Sequence, residues 1–175
     1  MIVCFVNSME DTALLQDIFK GLSDVKLLVN PSSEQLKQVL RDFSNESFIA
    51  LGHGTRYGLL NETLTGYLLT GEDADLLKDR DLCCIWCYAS SFLRSNNLCG
   101  FCTSMFVSNP GELEWYGFKA DSNVYLQVTL FCQRVHRLLL DNVPLSEWPD
   151  RLRAQVRTSD PEYVKFNYDG LEYCR

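Results

Sequence analysis

The chain has 175 residues, 46% hydrophobic and 22% charged, which is the balance of one folded globular domain and excludes a disordered or fibrous chain. A formal net charge of -7 removes any general attraction to phosphate backbones or anionic lipid, so neither nucleic acid nor a membrane is an expected partner. No basic segment precedes the short apolar run at the amino terminus, and no stretch approaches the roughly 18 apolar residues of a membrane span, so a cytoplasmic location is expected.

Residues 2–6 form an apolar run read as a strand, and Ser8 with Asp11 reads as a capping box opening a helix that ends near Gly21. Leu14, Leu15, Ile18, Phe19 and Leu22 fall on one face of that helix. A strand over 25–29 closes at Asn30-Pro31, Ser32 with Gln35 caps a second helix striped by Leu36, Val39, Leu40 and Phe43, and a third strand over 47–51 ends in Gly52-His53-Gly54. Residues 55–80 carry Gly58, Gly66 and Gly71 and read as irregular, with a short helix near Leu76-Leu77.

The most hydrophobic strand is expected over 82–86, leading into Cys87, followed by a helical turn over 90–97 and a fifth apolar run over 101–107 that ends in Ser108-Asn109-Pro110-Gly111. A long helix begins at Asp121 or Ser122 and runs through Leu140, and Pro144 and Pro149 frame another to about Arg157. The tail over 163–173 reads as a strand or hairpin turning at Asp169-Gly170. Alternating strands and helices predict a single domain over residues 1–175, a three-layer α/β/α sandwich on a mostly parallel sheet of about six strands.

In such sheets reacting groups gather outside the carboxyl ends of the strands. His53 ends the third strand and Cys87 the fourth. A cysteine nucleophile needs a base and donors for the oxyanion; His53 is the candidate base, and the N–H groups of Gly54 and Cys87 are the candidate donors. Ser108, Asn109 and Glu112, at the end of the fifth run, are candidate substrate-binding residues, and Glu112 or Glu114 could select a basic side chain.

The segments Phe48-Ile-Ala-Leu-Gly-His-Gly54 and Leu82-Cys-Cys-Ile-Trp-Cys-Tyr-Ala-Ser90 resemble the motifs of the caspase-like (clan CD) cysteine peptidases, in which a His-Gly follows one strand and the nucleophile follows the next. The stretch over 64–75 is similar to the corresponding part of CHAT-type members, and the stretch over 103–112 to the pocket-forming loop of legumain-like members. The resemblance implies a caspase-like fold, an endopeptidase acting on polypeptide through Cys87 and His53 by way of a thioester, and no metal or cofactor. Trp86 before the nucleophile and Ser91 in place of the usual glycine depart from the pattern and keep a catalytically silent interaction domain as an alternative. His136 lies within a helix and reads as part of its solvated face.

All eight cysteines are expected as thiols, most of them small buried hydrophobes. The spacing Cys84-x-x-Cys87 with Cys99-x-x-Cys102 also matches a structural zinc site, against which stands the placement of Cys84 in a strand.

Overall fold

A computed structural model describes all residues 1–175. In chain order it contains β1 (Ile2–Phe5), α1 (Glu10–Ala13), β2 (Lys26–Val29), α2 (Ser33–Asp42), β3 (Phe48–Leu51), β4 (Gly54–Thr55), β5 (Gly58–Leu60) and β6 (Tyr67–Thr70). These are followed by β7 (Leu82–Ile85), α3 (Ala89–Ser95), β8 (Gly100–Thr103), α4 (Pro110–Trp115), α5 (Val124–Leu140), α6 (Trp148–Arg153), α7 (Glu162–Asp169) and β9 (Leu171–Cys174). Six strands make one sheet in the order β2-β1-β3-β7-β8-β9, parallel except for β9, which runs antiparallel to β8 at one edge. β4, β5 and β6 form a separate small antiparallel sheet.

The strands β1, β3 and β7 are buried at every residue because both faces of the sheet are covered, which is why they read as unbroken apolar runs. Alternation along the strands divides the core in two. Val3, Phe5, Ile49, Leu51, Cys83, Ile85 and Phe101 face one side and pack with α5, α6 and α7. Ile2, Cys4, Phe48, Ala50, Leu82, Cys84 and Cys102 face the other and pack with α2, α3 and the small sheet. Neighbours Cys83 and Cys84 are therefore both core residues, on opposite faces.

α2 begins as its sequence dictates: Ser32 accepts from the Gln35 N–H, and Gln35 bonds back to the Ser32 N–H. Its carboxyl end is held by Arg80, which donates to the carbonyls of Phe43 at 2.6 Å and Glu46 at 3.0 Å and also to Leu40. The guanidinium thus satisfies carbonyls that a helix end leaves without partners.

Several expectations are corrected. The helix foreseen from Ser8 to Gly21 is only α1 followed by a 3₁₀ segment over Leu14–Ile18, and Ser8-Asp11 is not its capping box. Thr12 Oγ1 instead accepts the N–H groups of Ser8 and Met9, which frees the Asp11 carboxylate for other partners. The fifth strand stops at Thr103: Ser104 still bonds its N–H to the Gly170 carbonyl, but Gly170 gives its own N–H to Phe166 at the end of α7, so the ladder goes no further. Residues 55–80 hold β5, β6 and a 3₁₀ segment over Gly71–Leu76, and α4 was not foreseen. The tail is α7 and then β9; Tyr163, Val164, Asn167 and Tyr168 are buried together at helical spacing. No helix is long and apolar enough to cross a membrane.

Candidate active site

β3 and β7 are hydrogen-bonded neighbours with Leu51 opposite Ile85, so their carboxyl ends deliver His53 and Cys87 to the same edge of the sheet. Both residues line one crevice with Asp11, Thr12, Phe106 and Ser108, and it leaves only about 30 Å³ of free room, space for a water or two. A substrate would present its scissile carbonyl at the mouth of this crevice, since no side chain could enter it.

The local chain geometry around Cys87 is held firmly. Trp86 is buried against Phe92 with ring centroids 5.6 Å apart, and its indole N–H donates to the Thr55 carbonyl at 3.2 Å. Its own carbonyl accepts from the buried Thr103 hydroxyl at 2.7 Å. The bulky residue before the candidate nucleophile therefore lies in the core and ties β7 to the small sheet. Tyr88, directly after Cys87, sits in the left-handed region at φ 66°, a strained setting for a side chain with a Cβ. Its N–H is fixed on the Ser104 carbonyl at 3.0 Å.

Gly54 is required where it stands. A Cβ there would lie 2.1 Å from Trp86 Cδ1 and 2.7 Å from the Gly58 carbonyl oxygen. The small residue after His53 thus lets the indole close against the strand end. The Cys87 N–H, one of the two candidate oxyanion donors, has no acceptor within the protein.

His53 is oriented by a residue that the sequence reading missed. Its Nε2 lies 3.4 Å from Asp11 Oδ1, with the N–H not aimed along that line, so the contact is an ion pair rather than a directed hydrogen bond. The Asp11 carboxylate raises the His53 pKa against the opposing effect of burial, and Glu112 adds to the rise. Burial acts against ionisation of Asp11, but His53, Ser108 and Asn109 together outweigh it and hold the carboxyl well below the usual range. Asp11 stands just past the carboxyl end of β1, the strand beside β3, so the same edge rule that picks out His53 and Cys87 could have found it.

The loop after β8 supports this acid. Ser108 Oγ donates to Asp11 Oδ2 at 2.6 Å, and Asn109 Nδ2 donates to the same oxygen at 3.0 Å. Glu112 accepts the Ser108 N–H at 2.7 Å, and burial raises its pKa. Of the three residues read as substrate-binding, Ser108 reaches the crevice, whereas Asn109 is engaged with Asp11 and the Glu112 N–H, and the Glu112 carboxylate with Ser108. The loop itself is clamped from α7: Asn167 accepts the Val107 N–H and donates to the Val107 carbonyl, each at 2.8 Å.

The Cys87 thiol points elsewhere than at the imidazole. Its Sγ–H contacts the Phe106 carbonyl at 3.7 Å, and no hydrogen bond joins it to His53. Burial pushes the thiol up to about 12, so at neutral pH it is uncharged. The resting site is therefore a neutral thiol beside an imidazole drawn toward Asp11.

The four cysteines with zinc-like spacing are not brought together, and no cluster of His, Cys, Asp or Glu side chains is arranged to hold a metal. Cys84 and Cys102 are buried in β7 and β8, Cys99 is exposed, and the Cys102 sulfur lies 3.5 Å from that of Cys174. Cys84 and Cys102 are partners on adjacent strands and share one face of the sheet, but Cys99 is exposed and Cys87 lies at the crevice, so the four sulfurs do not converge as the zinc alternative needs. No protein-family model and no curated protein matched the sequence.

Proposed function

We propose that the protein is a caspase-like cysteine endopeptidase with Cys87 as nucleophile and His53 as general base and acid. One observation carries the reading: His53 and Cys87, on adjacent parallel strands, line one crevice, and a buried carboxylate orients the histidine. Because the thiol is uncharged at rest, its proton leaves as it attacks the carbonyl, toward His53 in its neutral form, and no standing thiolate is needed. The developing oxyanion accepts the N–H groups of Cys87 and Gly54. The imidazolium, steadied by Asp11, then protonates the departing amine, and water activated by His53 hydrolyses the thioester. Asp11 acts through His53 and is a positioning residue.

The test is cleavage of a proteome-derived peptide library by wild type, Cys87→Ala and His53→Ala, read by mass spectrometry. Loss of every cleavage in both variants is expected, and full-rate turnover by Cys87→Ala would refute the assignment. A second reading, a catalytically silent domain of the same fold, is favoured by the high thiol pKa; a wild type that leaves the whole library uncut would select it.

A further inference from the structure

Away from the crevice, the eight thiols make a single sulfur-to-sulfur hydrogen bond, between Cys102 and Cys174 at 3.5 Å. We propose that these two cysteines are a redox site, oxidised to a disulfide by a hydroperoxide and returned to thiols by a small dithiol. The inference is independent of the peptidase reading.

The sheet brings the pair together. β8 and β9 run antiparallel with Gly100 opposite Cys174 and Cys102 opposite Glu172, so the two cysteines stand diagonally, two residues apart in register and on one face. Gly100 has no side chain on that face, which leaves Cys174 room to lean toward Cys102. Cys84, opposite Cys102 on β7, extends the row but makes no such contact. A disulfide needs the two sulfurs to close by about 1.5 Å, a shift that rotation of the two side chains can supply.

The thiols are unequal, as a pair needs if one is to attack the oxidant and the other to resolve the product. Cys102 is fully buried, and the hydrogen bond it gives to Cys174, then burial, push its thiol up. Cys174 accepts that bond and lies near the Arg94 guanidinium, and both draw its thiol below the ordinary value against the effect of burial. Arg94, on α3, is held beside β9 by its ion pair with Glu172. Among the cysteines of the six-stranded sheet only Cys174 reaches the surface: on the edge strand it is 6% exposed, against 1% or less for Cys4, Cys83, Cys84 and Cys102. A peroxide arriving at this edge therefore meets the more ionised thiol first.

The Cys174 thiolate attacks one peroxide oxygen and the O–O bond breaks, leaving a sulfenic acid on Cys174 and a hydroxide, or an alkoxide from an organic hydroperoxide, that takes up a proton. The Cys102 sulfur then attacks the Cys174 sulfur while its own proton passes to the departing hydroxyl, so an S–S bond replaces the S–O bond and water leaves. Two thiols give up two hydrogens and two electrons, and the peroxide takes them. A dithiol reverses the change by thiol–disulfide exchange, entering at Cys174 and ending as its own cyclic disulfide.

The experiment exposes the native protein to rising hydrogen peroxide, blocks the remaining thiols under denaturant and maps unreduced peptides by mass spectrometry, with fragmentation separating Cys102 from Cys99. A peptide pair joined through Cys102 and Cys174, lighter by two hydrogens than its parts and lost after dithiothreitol, should be the main bridged product. Bridges to Cys174 from Cys84 or Cys99 in its place, or Cys102 and Cys174 remaining thiols after the exposed Cys99 is fully oxidised, would overturn the site. In Cys102→Ala the Cys174 sulfenic acid should persist and be captured by dimedone, whereas in Cys174→Ala the Cys102 thiol should survive the same exposure. Capture at Cys102 in Cys174→Ala, with none at Cys174 in Cys102→Ala, would overturn the roles given to the two sulfurs. Should a variant fail to fold, the wild-type map alone decides.

Discussion

Replacing Asp11 by Asn tests how the buried carboxylate governs the site. One carboxylate oxygen takes the Thr12 N–H at 2.9 Å and faces His53 at 3.4 Å, while the other takes Ser108 and Asn109. An amide supplies one acceptor oxygen. With that oxygen kept on Ser108 and Asn109, its NH₂ points at the Thr12 N–H and at His53, so a backbone bond and the ion pair are lost together. The Coulomb energy of a charge pair at this separation is about 5 kcal/mol at an effective dielectric of 20, before the desolvation it offsets. His53 can shed its proton once the carboxylate is gone, which spares the protein an unpaired buried charge, so the net loss should be about 2–3 kcal/mol.

The loss must depend on pH. His53 has its folded pKa raised above 6.5, so its share of stability is complete below that value and disappears as pH rises through the folded pKa. Asp11 has its folded pKa lowered below 3.8, so its share is present above that value and disappears as pH falls through the folded pKa. Urea unfolding of wild type and Asp11→Asn should therefore differ most between about pH 4 and 6.5, and the difference should shrink as pH rises through the folded His53 pKa to the part left by the lost Thr12 bond. The chain has only two histidines, so the His53 ring signals can be followed through a titration by NMR against His136 as internal reference. The midpoint of His53 should fall in Asp11→Asn. An unchanged midpoint, or a stability difference flat from pH 5 to 9, would refute the ion pair.

Gly54→Ala should lose about 1–3 kcal/mol in denaturant unfolding and the cleavage activity with it, because the added Cβ meets both the indole and a backbone carbonyl; wild-type stability in the variant would contradict the close approach described here. Alkylation by iodoacetamide at pH 7 should label the exposed Cys99 first and Cys87 slowly, with Cys87 accelerating toward high pH as its thiol, pushed up to about 12, ionises. Fastest labelling at Cys87 in neutral solution would mean that an activated thiolate exists at rest.

Much of this architecture is legible in the residues themselves. Parallel strands covered on both faces must be apolar throughout, so β1, β3 and β7 stand out, and their order alone brings His53 and Cys87 to one edge. Asp11 was hidden by a local rule, since Ser8 three residues ahead of it reads as a helix cap, and only tertiary contact reveals that Thr12 does the capping and the acid serves the histidine. α7 was hidden by composition: its tyrosines, valine and phenylalanine favour strands, yet Tyr163, Val164, Asn167 and Tyr168 form a helical stripe once α5 and α6 offer it a surface. The small sheet depends on β4, β5 and β6 folding back on one another, and pairing between such short strands in a glycine-rich stretch leaves little periodicity to read.

The Asn167 clamp on Val107 has a consequence for synthesis. Translation proceeds from the amino end, and β1, β2, β3 and β7 with His53 and Cys87 all emerge before α7 exists. Until Asn167 arrives, both the N–H and the carbonyl of Val107 lack their buried partner, and the adjoining Phe106 carbonyl and Ser108 hydroxyl, which meet the thiol and Asp11, have no fixed position. A ribosome-bound chain short of α7 therefore holds both members of the dyad without the loop that orders them, so that under the peptidase reading the nascent protein is harmless to its neighbours until its fold is closed.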